Sequence, residues 1–213
     1  MITAAIFDLD GLLTDTEKLH CQAYQQALAE VGFHLHKEQY LKHWVRSGLT
    51  ISDFVRAHGL KHDPSVLRER KSVIYEQLVR TKLRPMPGAL ELLERLRGNL
   101  RLALATSSRD DSAQCVLREL GIAHYFEVIA TEGSVARLKP HPDIFLFVAE
   151  KLGVSPGECV VLEDAEKGIL AAHAAGMKSI AVPNEFTKDN DFTLATKVVQ
   201  SLHEVTPELL ASL

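Results

Sequence analysis

Short apolar segments alternate with helix-patterned stretches along most of this chain, and this alternation constrains the fold more than any other feature. The apolar segments are residues 4–7, 102–105, 128–130, 160–162 and 179–182. Such short, uniformly apolar runs are typical of parallel strands that are buried on both faces. Gly121, Gly153 and Gly176 each follow a helical pattern, where a C-cap glycine is expected. The sequence therefore predicts an α/β fold with a doubly wound parallel sheet.

One long stretch interrupts the alternation. Between about residues 15 and 84 the sequence shows only helical patterns, beginning with TEKLHCQAYQQALAEVG. Thr14 and Glu17 have capping-box spacing there, and Gly32 ends the pattern. Further helices are predicted at 37–44, 51–58 and 64–81. We expect a Rossmann-like core formed by residues 1–14 and 85–213, with an all-helical cap domain inserted at 15–84.

Composition limits the possible partners and the cellular location. The 213 residues include 24 basic and 28 acidic ones, with a net charge of −4 and no long block of like charge, so no nucleic-acid partner is expected. Cys21, Cys115 and Cys159 are widely separated, which favours buried thiols in a reducing compartment. No apolar stretch approaches the roughly 20 residues needed to cross a bilayer. We expect a cytoplasmic monomer that contacts no membrane and acts on a small molecule.

Polar residues follow the apolar segments at the points where the strands should end. They are Asp8 and Asp10, then Thr106, Ser107 and Ser108, then Glu163 and Asp164, with Lys139 in the segment after residues 128–130. The carboxyl ends of parallel strands meet at one edge of a sheet, where ligands bind. Asp8 and Asp10 repel each other unless one is protonated or a cation lies between them. A shared site that holds a divalent cation would offset this repulsion.

The residue types indicate the chemistry of that site. Carboxylates without convergent Cys or His favour Mg²⁺, which usually keeps waters and substrate phosphate among its ligands. Thr106 and Ser107 lie before a helix that is predicted near Arg109, so they could bind phosphate oxygens together with Lys139. A carboxylate nucleophile beside Mg²⁺ and phosphate would form an aspartyl phosphate. The Asp and Glu side chains, and those of Thr106 to Ser108, could also simply cap a helix.

Four segments resemble the motifs of the haloacid dehalogenase-like hydrolase superfamily, in their usual order. They are FDLDGLLTDTE, LALATSSR, KPHPDIF and VVLEDAEKGI. The helical insertion is similar to the cap of the subgroup that contains β-phosphoglucomutases and pseudouridine-5′-phosphatase-like enzymes. The resemblance implies a nucleophile at Asp8, and at Asp10 a general acid/base that also binds metal through its backbone carbonyl. It further implies that Thr106 binds phosphate, that Lys139 steadies the nucleophile and phosphate, and that Asp164 holds Mg²⁺ with help from Glu163.

The sequence departs from the motifs of the resembling family at three positions. Ala165 stands where many relatives have Ser, and Leu138 replaces a small or polar residue before the lysine. Ile51, in GLTISDF, aligns with an arginine that grips the second phosphate in the mutases. We therefore predict a phosphatase for a small phosphorylated metabolite, with a phosphosugar mutase or a phospho-acceptor signalling domain as the alternatives.

Charged and aromatic side chains of the insertion supply further candidates. His20 and Lys71 are candidate substrate contacts of the cap, although a half-buried histidine and a solvated lysine would be ordinary on such helices. Arg70 could likewise contact the substrate, although a charged side chain on a solvated helix face is the commoner case. His34 and His36 form an HxH pair without a third ligand nearby, so we expect no metal there.

Overall fold

A computed structural model describes all residues from Met1 to Leu213. The chain divides into two compact units, formed by residues 1–15 with 84–213 and by residues 16–83. Its strands are β1 (Ala4–Phe7), β2 (Arg101–Ala105), β3 (Val128–Ala130), β4 (Cys159–Glu163), β5 (Lys178–Ala181) and β6 (Lys197–Val198). Its helices are α1 (Thr16–Ala29), α2 (Lys37–Tyr40), α3 (Ile51–Ala57), α4 (Pro64–Lys82), α5 (Ala89–Leu96), α6 (Asp110–Leu120), α7 (Asp143–Leu152), α8 (Glu166–Ala174) and α9 (Pro207–Ala211).

The larger unit contains one parallel sheet of six strands, in the order β3-β2-β1-β4-β5-β6. Every residue of β1 is fully buried, as the uniformly apolar run predicts. Helix α7 packs against β2 and β3, and α8 packs against β4 and β5. The predicted α/β, Rossmann-like fold is confirmed. The short, exposed strand β6 was not predicted, because its two residues carry no apolar pattern.

The register of the central strands aligns their carboxyl ends. Phe7, the last residue of β1, pairs with Leu104 of β2 on one side and with Leu162 of β4 on the other. The chain fills the sheet outward from β1 to β3 and then returns to β4, so the order of the strands reverses beside β1. A crevice at such a reversal is where open α/β sheets bind ligands. The segments after β1, β2 and β4 all begin there.

The smaller unit is all-helical, and α1 packs mainly against α4. Its buried core includes Tyr40, Ile51 and Phe54, and Trp44 packs against this cluster. Helix α1 begins at Thr16, where the predicted helical pattern begins. The hydroxyl of Thr14, just before it, donates a hydrogen bond to the Arg84 carbonyl, at 3.2 Å. That this unit serves as a cap stays a prediction.

Two local expectations about the helical unit need comment. The predicted helix at 37–44 is α2 followed directly by a π-helical segment, Leu41–Arg46. The rings of His34 and His36 lie 5.0 Å apart, edge to face, and neither residue belongs to a cluster of potential metal ligands.

Cys21, Cys115 and Cys159 are free and buried, as expected. None of the helices combines the length and the apolar character that crossing a membrane requires.

Candidate active site

The turn after β1 brings Asp8 to the crevice. The backbone N–H of Asp8 donates to the Leu162 carbonyl at 3.0 Å, which extends the pairing of β1 with β4. The chain then turns at Gly11, whose φ of +90° is a conformation that side chains with a Cβ rarely adopt. A Cβ at Gly11 would also overlap the Asp164 carboxylate. The glycine in DLDG therefore lets the backbone approach the neighbouring loop closely.

Lys139 is the buried cation of the site, with a side chain that is 1% exposed. Its ammonium group donates three hydrogen bonds, to Asp8 Oδ1 at 2.6 Å, Glu163 Oε1 at 2.7 Å and the Ala105 carbonyl at 2.7 Å. These contacts use all three N–H donors of a lysine. Burial alone would lower the pKa of Lys139, but Asp8 and Glu163 outweigh it and raise that pKa. Lys139 is therefore a fixed positive charge at the end of β1.

Glu163, the last residue of β4, uses both carboxylate oxygens within the protein. Oε1 accepts the hydrogen bond from Lys139, and Oε2 accepts from the backbone N–H groups of Asp164 and Ala165, each at 3.0 Å. Gly168 of α8 leaves space for this side chain, since a Cβ there would overlap the Glu163 carboxyl group. Glu163 therefore holds the N-terminal end of α8 and also orients Lys139.

Three buried carboxylates form a potential cation site. Asp8, Glu163 and Asp164 each place one oxygen within 4.8 Å of the others. Burial raises the pKa of Asp8 to about 7; Lys139 opposes the rise, and Glu163 and Asp10 add to it. With Lys139 as the single cation among them, the three carboxylates carry excess negative charge in a buried place, which is costly unless it is compensated. All-oxygen donors with this surplus fit a hard divalent cation such as Mg²⁺.

Asp10 turns toward the loop that follows β2. Its Oδ2 accepts hydrogen bonds from the Ser108 hydroxyl at 2.6 Å and the Thr106 hydroxyl at 3.2 Å. The Thr106 hydroxyl in turn accepts from the backbone N–H of Ser108, at 3.0 Å. The Asp10 carboxylate is not a member of the three-carboxylate cluster. The hydroxyl of Ser107, in the same loop, is buried and has no hydrogen-bond partner within the protein.

The sequence reasoning missed Asn184, which lies shortly after β5. Its side-chain amide donates to Asp164 Oδ2 at 2.8 Å and to the Gly11 carbonyl at 3.0 Å. The signal was present, because Asn184 is a polar residue just beyond an apolar strand, like the others. A single asparagine after Pro183 is also ordinary in a turn, so the sequence alone does not distinguish it from one.

The two candidates in the helical unit lie next to each other. Lys71 Nζ lies 2.6 Å from His20 Nδ1, and the His20 ring stacks on Tyr75 with 4.1 Å between centroids. Lys71 also lies over the rings of Tyr24 and Tyr75, at 5.0 and 4.7 Å from their centroids. Arg70, by contrast, pairs with Glu30 through two hydrogen bonds of 2.6 and 2.7 Å. The structure thus brings His20 and Lys71 together and places Arg70 in an exposed ion pair.

Comparison with known proteins decides the family. A family model described as haloacid dehalogenase-like hydrolase matches residues 5–182, which include every residue of the site except Asn184. The chain belongs to this family. It is therefore a haloacid dehalogenase-like hydrolase, and the family resemblance seen in its motifs is confirmed.

Relatives of this hydrolase include phosphatases and a phosphomutase. Fructose-1-phosphate phosphatase YqaB of Escherichia coli is 32% identical over 178 residues, covering 83% of this chain and 94% of its own length. The β-phosphoglucomutase of Bacillus subtilis is 34% identical over 217 residues, covering 97% and 93%. The crystal structure of CbbY from Rhodobacter sphaeroides in complex with phosphate superimposes with a TM-score of 0.87 at 28% identity, covering 100% of both chains.

These relatives fix the kind of chemistry and leave the substrate open. This haloacid dehalogenase-like hydrolase is an enzyme of the phosphatase and phosphomutase type. Because the named relatives divide between these two activities, the choice between them must come from the chain's own residues.

Proposed function

We propose that this protein is a Mg²⁺-dependent phosphatase that hydrolyses a small phosphorylated metabolite, such as a sugar phosphate, through an aspartyl-phosphate intermediate on Asp8. One observation carries the proposal: Asp8 lies in a buried carboxylate cluster and is hydrogen-bonded to Lys139, while Asp10 lies two residues away with its own hydroxyl partners. A nucleophile and a separate acid/base on one short turn are what phosphoryl transfer in two steps requires.

Asp8 and Asp10 divide the chemistry between them. A carboxylate oxygen of Asp8 attacks phosphorus, the bond from phosphorus to the substrate oxygen breaks, and Asp10 gives that oxygen its proton. Water then attacks the phosphorus of the phosphoaspartate while Asp10 accepts a proton, which releases phosphate and restores the Asp8 carboxylate. Lys139 holds Asp8 Oδ1 in place and offsets negative charge on the phosphoryl group.

The remaining polar residues bind phosphate and cation. Thr106 and Ser107 contact phosphate oxygens, and the buried, unpartnered hydroxyl of Ser107 supports this role. Asp8, Asp164 and the backbone carbonyl of Asp10 would hold Mg²⁺, which would neutralise negative charge on the phosphoryl group. Glu163 contributes mainly by holding Lys139, because both of its oxygens accept hydrogen bonds from protein groups.

The position of Ile51 favours hydrolysis over phosphoryl transfer between two sugar positions. Ile51 is 2% exposed in the core of the helical unit. Its hydrocarbon side chain offers neither charge nor a hydrogen-bond donor to a second phosphate. A mutase must retain a doubly phosphorylated intermediate, for which an arginine is suited. We therefore assign release of free phosphate as the outcome. We also assign His20 and Lys71, which lie next to each other, as substrate contacts of the cap.

The test is phosphate release from an aryl phosphate, from fructose 1-phosphate and from hexitol phosphates, with Mg²⁺ and with excess chelator. We expect release only with Mg²⁺, and full activity in chelator would contradict the metal assignment. Intact-protein mass spectrometry with the aryl phosphate separates the two carboxylates. Asp8→Asn should never become phosphorylated, whereas Asp10→Asn should hold the phosphoryl group, with turnover reduced about 10²- to 10⁴-fold. Equal and complete loss of phosphorylation in both variants would refute this division of roles.

A further inference from the structure

Every polar atom of the Asn184 side chain has a partner in the same small region. The two N–H groups of its amide donate to the Gly11 carbonyl and to Asp164 Oδ2. Its Oδ1 accepts from the Phe186 backbone N–H at 2.7 Å. This side chain therefore connects three segments: the turn after β1, the loop after β4 and its own loop after β5.

The backbone around Asn184 holds that side chain in one orientation. The Asn184 N–H donates to the Thr187 hydroxyl at 3.1 Å, and the Asn184 carbonyl accepts from the Thr187 and Lys188 N–H groups at 3.2 and 2.9 Å. Thr187 is itself buried, with 3% exposure. A side chain fixed by a tight turn loses little further freedom when it binds a carboxylate, so its hydrogen bonds are effective in fixing that carboxylate.

The opposite side of the contact is equally restricted. A Cβ at Gly11 would lie 2.7 Å from Asn184 Nδ2 and would also overlap the Asp164 carboxylate. The absent side chain at Gly11 is thus what allows the Gly11 carbonyl, the Asn184 amide and the Asp164 carboxylate to meet. The turn that carries Asp8 and Asp10 is joined to Asp164 at this point.

Asp164 needs such a donor for an electrostatic reason. Its carboxylate lies within 4.8 Å of the carboxylates of Asp8 and Glu163, which repel it. A hydrogen bond from Asn184 to one oxygen offsets part of that repulsion and restricts rotation of the carboxylate. Groups that orient metal-binding carboxylates in this way typically change metal affinity by about 10- to 100-fold.

We propose that Asn184 is a positioning residue that preorganises Asp164 for the divalent cation and couples its loop to the turn that carries Asp8. This inference rests on the proposed function, because it concerns the same Mg²⁺ site. It assigns to the loop after β5 a part in cation binding that the four motif segments do not include.

The test is titration of the metal-free protein with Mg²⁺ by isothermal calorimetry, for the wild type, Asn184→Ala and Asn190→Ala. Asn190 is a matched control, because it is an asparagine of the same loop whose Oδ1 accepts from the Glu166 N–H and touches no carboxylate of the cluster. We expect Mg²⁺ to bind about 10- to 100-fold more weakly to Asn184→Ala. Asn190→Ala should bind like the wild type.

A kinetic readout distinguishes positioning from general damage to the fold. In Asn184→Ala the Mg²⁺ concentration for half-maximal activity should rise by the same factor, while kcat at saturating Mg²⁺ should return close to that of the wild type. Equal affinity in Asn184→Ala and the wild type would overturn the inference, as would equal losses in the two variants. Failure of the wild type itself to bind Mg²⁺ would instead contradict the proposed function.

A measurement on the wild type keeps the inference testable if Asn184→Ala does not fold. In protein labelled with ¹⁵N-asparagine, the side-chain amide signals of Asn184 should be separate and protected from exchange before Mg²⁺ is added. They should then shift with the same concentration dependence as the heat of binding. Amide signals that exchange freely, or that stay unchanged through saturation, would overturn the inference.

Discussion

The surroundings of Asp8 hold one of its carboxylate oxygens in place and raise its pKa. Lys139 donates to Asp8 Oδ1 at 2.6 Å, yet burial and the nearby carboxylates Glu163 and Asp10 still raise the Asp8 pKa to about 7. At neutral pH such a group exchanges its proton for a cation readily, because the cation removes the repulsion that favours protonation. The DLD segment predicted this conflict of charges from sequence. The sequence could not predict that Lys139 also reaches the Ala105 carbonyl, since that contact depends on how the loops pack.

The Asp8 pKa predicts a pH dependence of stability for the metal-free protein. Its folded value of about 7 lies above the ordinary value of 3.8, so the folded state binds more protons than the unfolded state between these limits. The contribution of Asp8 to the free energy of unfolding is therefore largest below about pH 4 and declines as pH rises through about 7. Urea unfolding of the wild type and of Asp8→Asn, in chelator and at several pH values in this range, measures that contribution as the difference in free energy of unfolding. A wild-type-minus-variant difference that does not change with pH would refute the prediction, and saturating Mg²⁺ should abolish the decline.

Strands and helices with a continuous apolar or helical pattern could be predicted from the sequence, whereas short exposed elements could not. The run AAIF predicted β1 with its observed bounds, because a strand buried on both faces leaves a continuous apolar signature. Strand β6 left none, since its two residues are exposed at the edge of the sheet. Helix α1 begins at Thr16, where the pattern TEKLHCQAYQQALAEVG begins, but the sequence could not show that the Thr14 hydroxyl bonds to the Arg84 carbonyl, a partner 70 residues away. The contact of Asn184 with Gly11 likewise spans 173 residues and leaves no local pattern.

The close approach of α8 to β4 gives a prediction at this scale. A methyl group at Gly168 would overlap Glu163, which cannot move easily because Lys139 and two backbone N–H groups hold it. Gly168→Ala gains about 1 kcal/mol of helix propensity but incurs about 1–3 kcal/mol of overpacking. We expect a net loss of stability of up to about 2 kcal/mol. Activity should also fall, because a displaced Glu163 would no longer hold Lys139. Gly157→Ala is the control, because a Cβ there meets open space. Urea unfolding of both variants decides, and equal stabilities would show that Glu163 has room to shift.

At the scale of the whole molecule, the two compact units contribute different properties. The sheet unit holds the residues proposed for phosphoryl transfer, while the helical unit holds His20, Lys71 and the buried Ile51. The relatives include a fructose-1-phosphate phosphatase and a β-phosphoglucomutase, so the common chemistry does not separate the activities. In the helical unit, the Lys71 ammonium group lies against His20, Tyr24 and Tyr75.

A hydrolase and a mutase differ in what takes the phosphoryl group from the phosphoaspartate. Because Ile51 is buried in the helical core, a bisphosphate would meet no arginine there, and the phosphoaspartate would react with water before a second sugar hydroxyl could take its phosphoryl group. Any β-glucose 1-phosphate that the enzyme consumes should yield glucose and phosphate. Single turnover in ¹⁸O-labelled water should place the label in the released phosphate, because water attacks phosphorus and leaves the Asp8 carboxylate unlabelled. Efficient formation of glucose 6-phosphate, stimulated by a sugar bisphosphate, would contradict this and would indicate that Arg46 or Lys71 replaces the arginine.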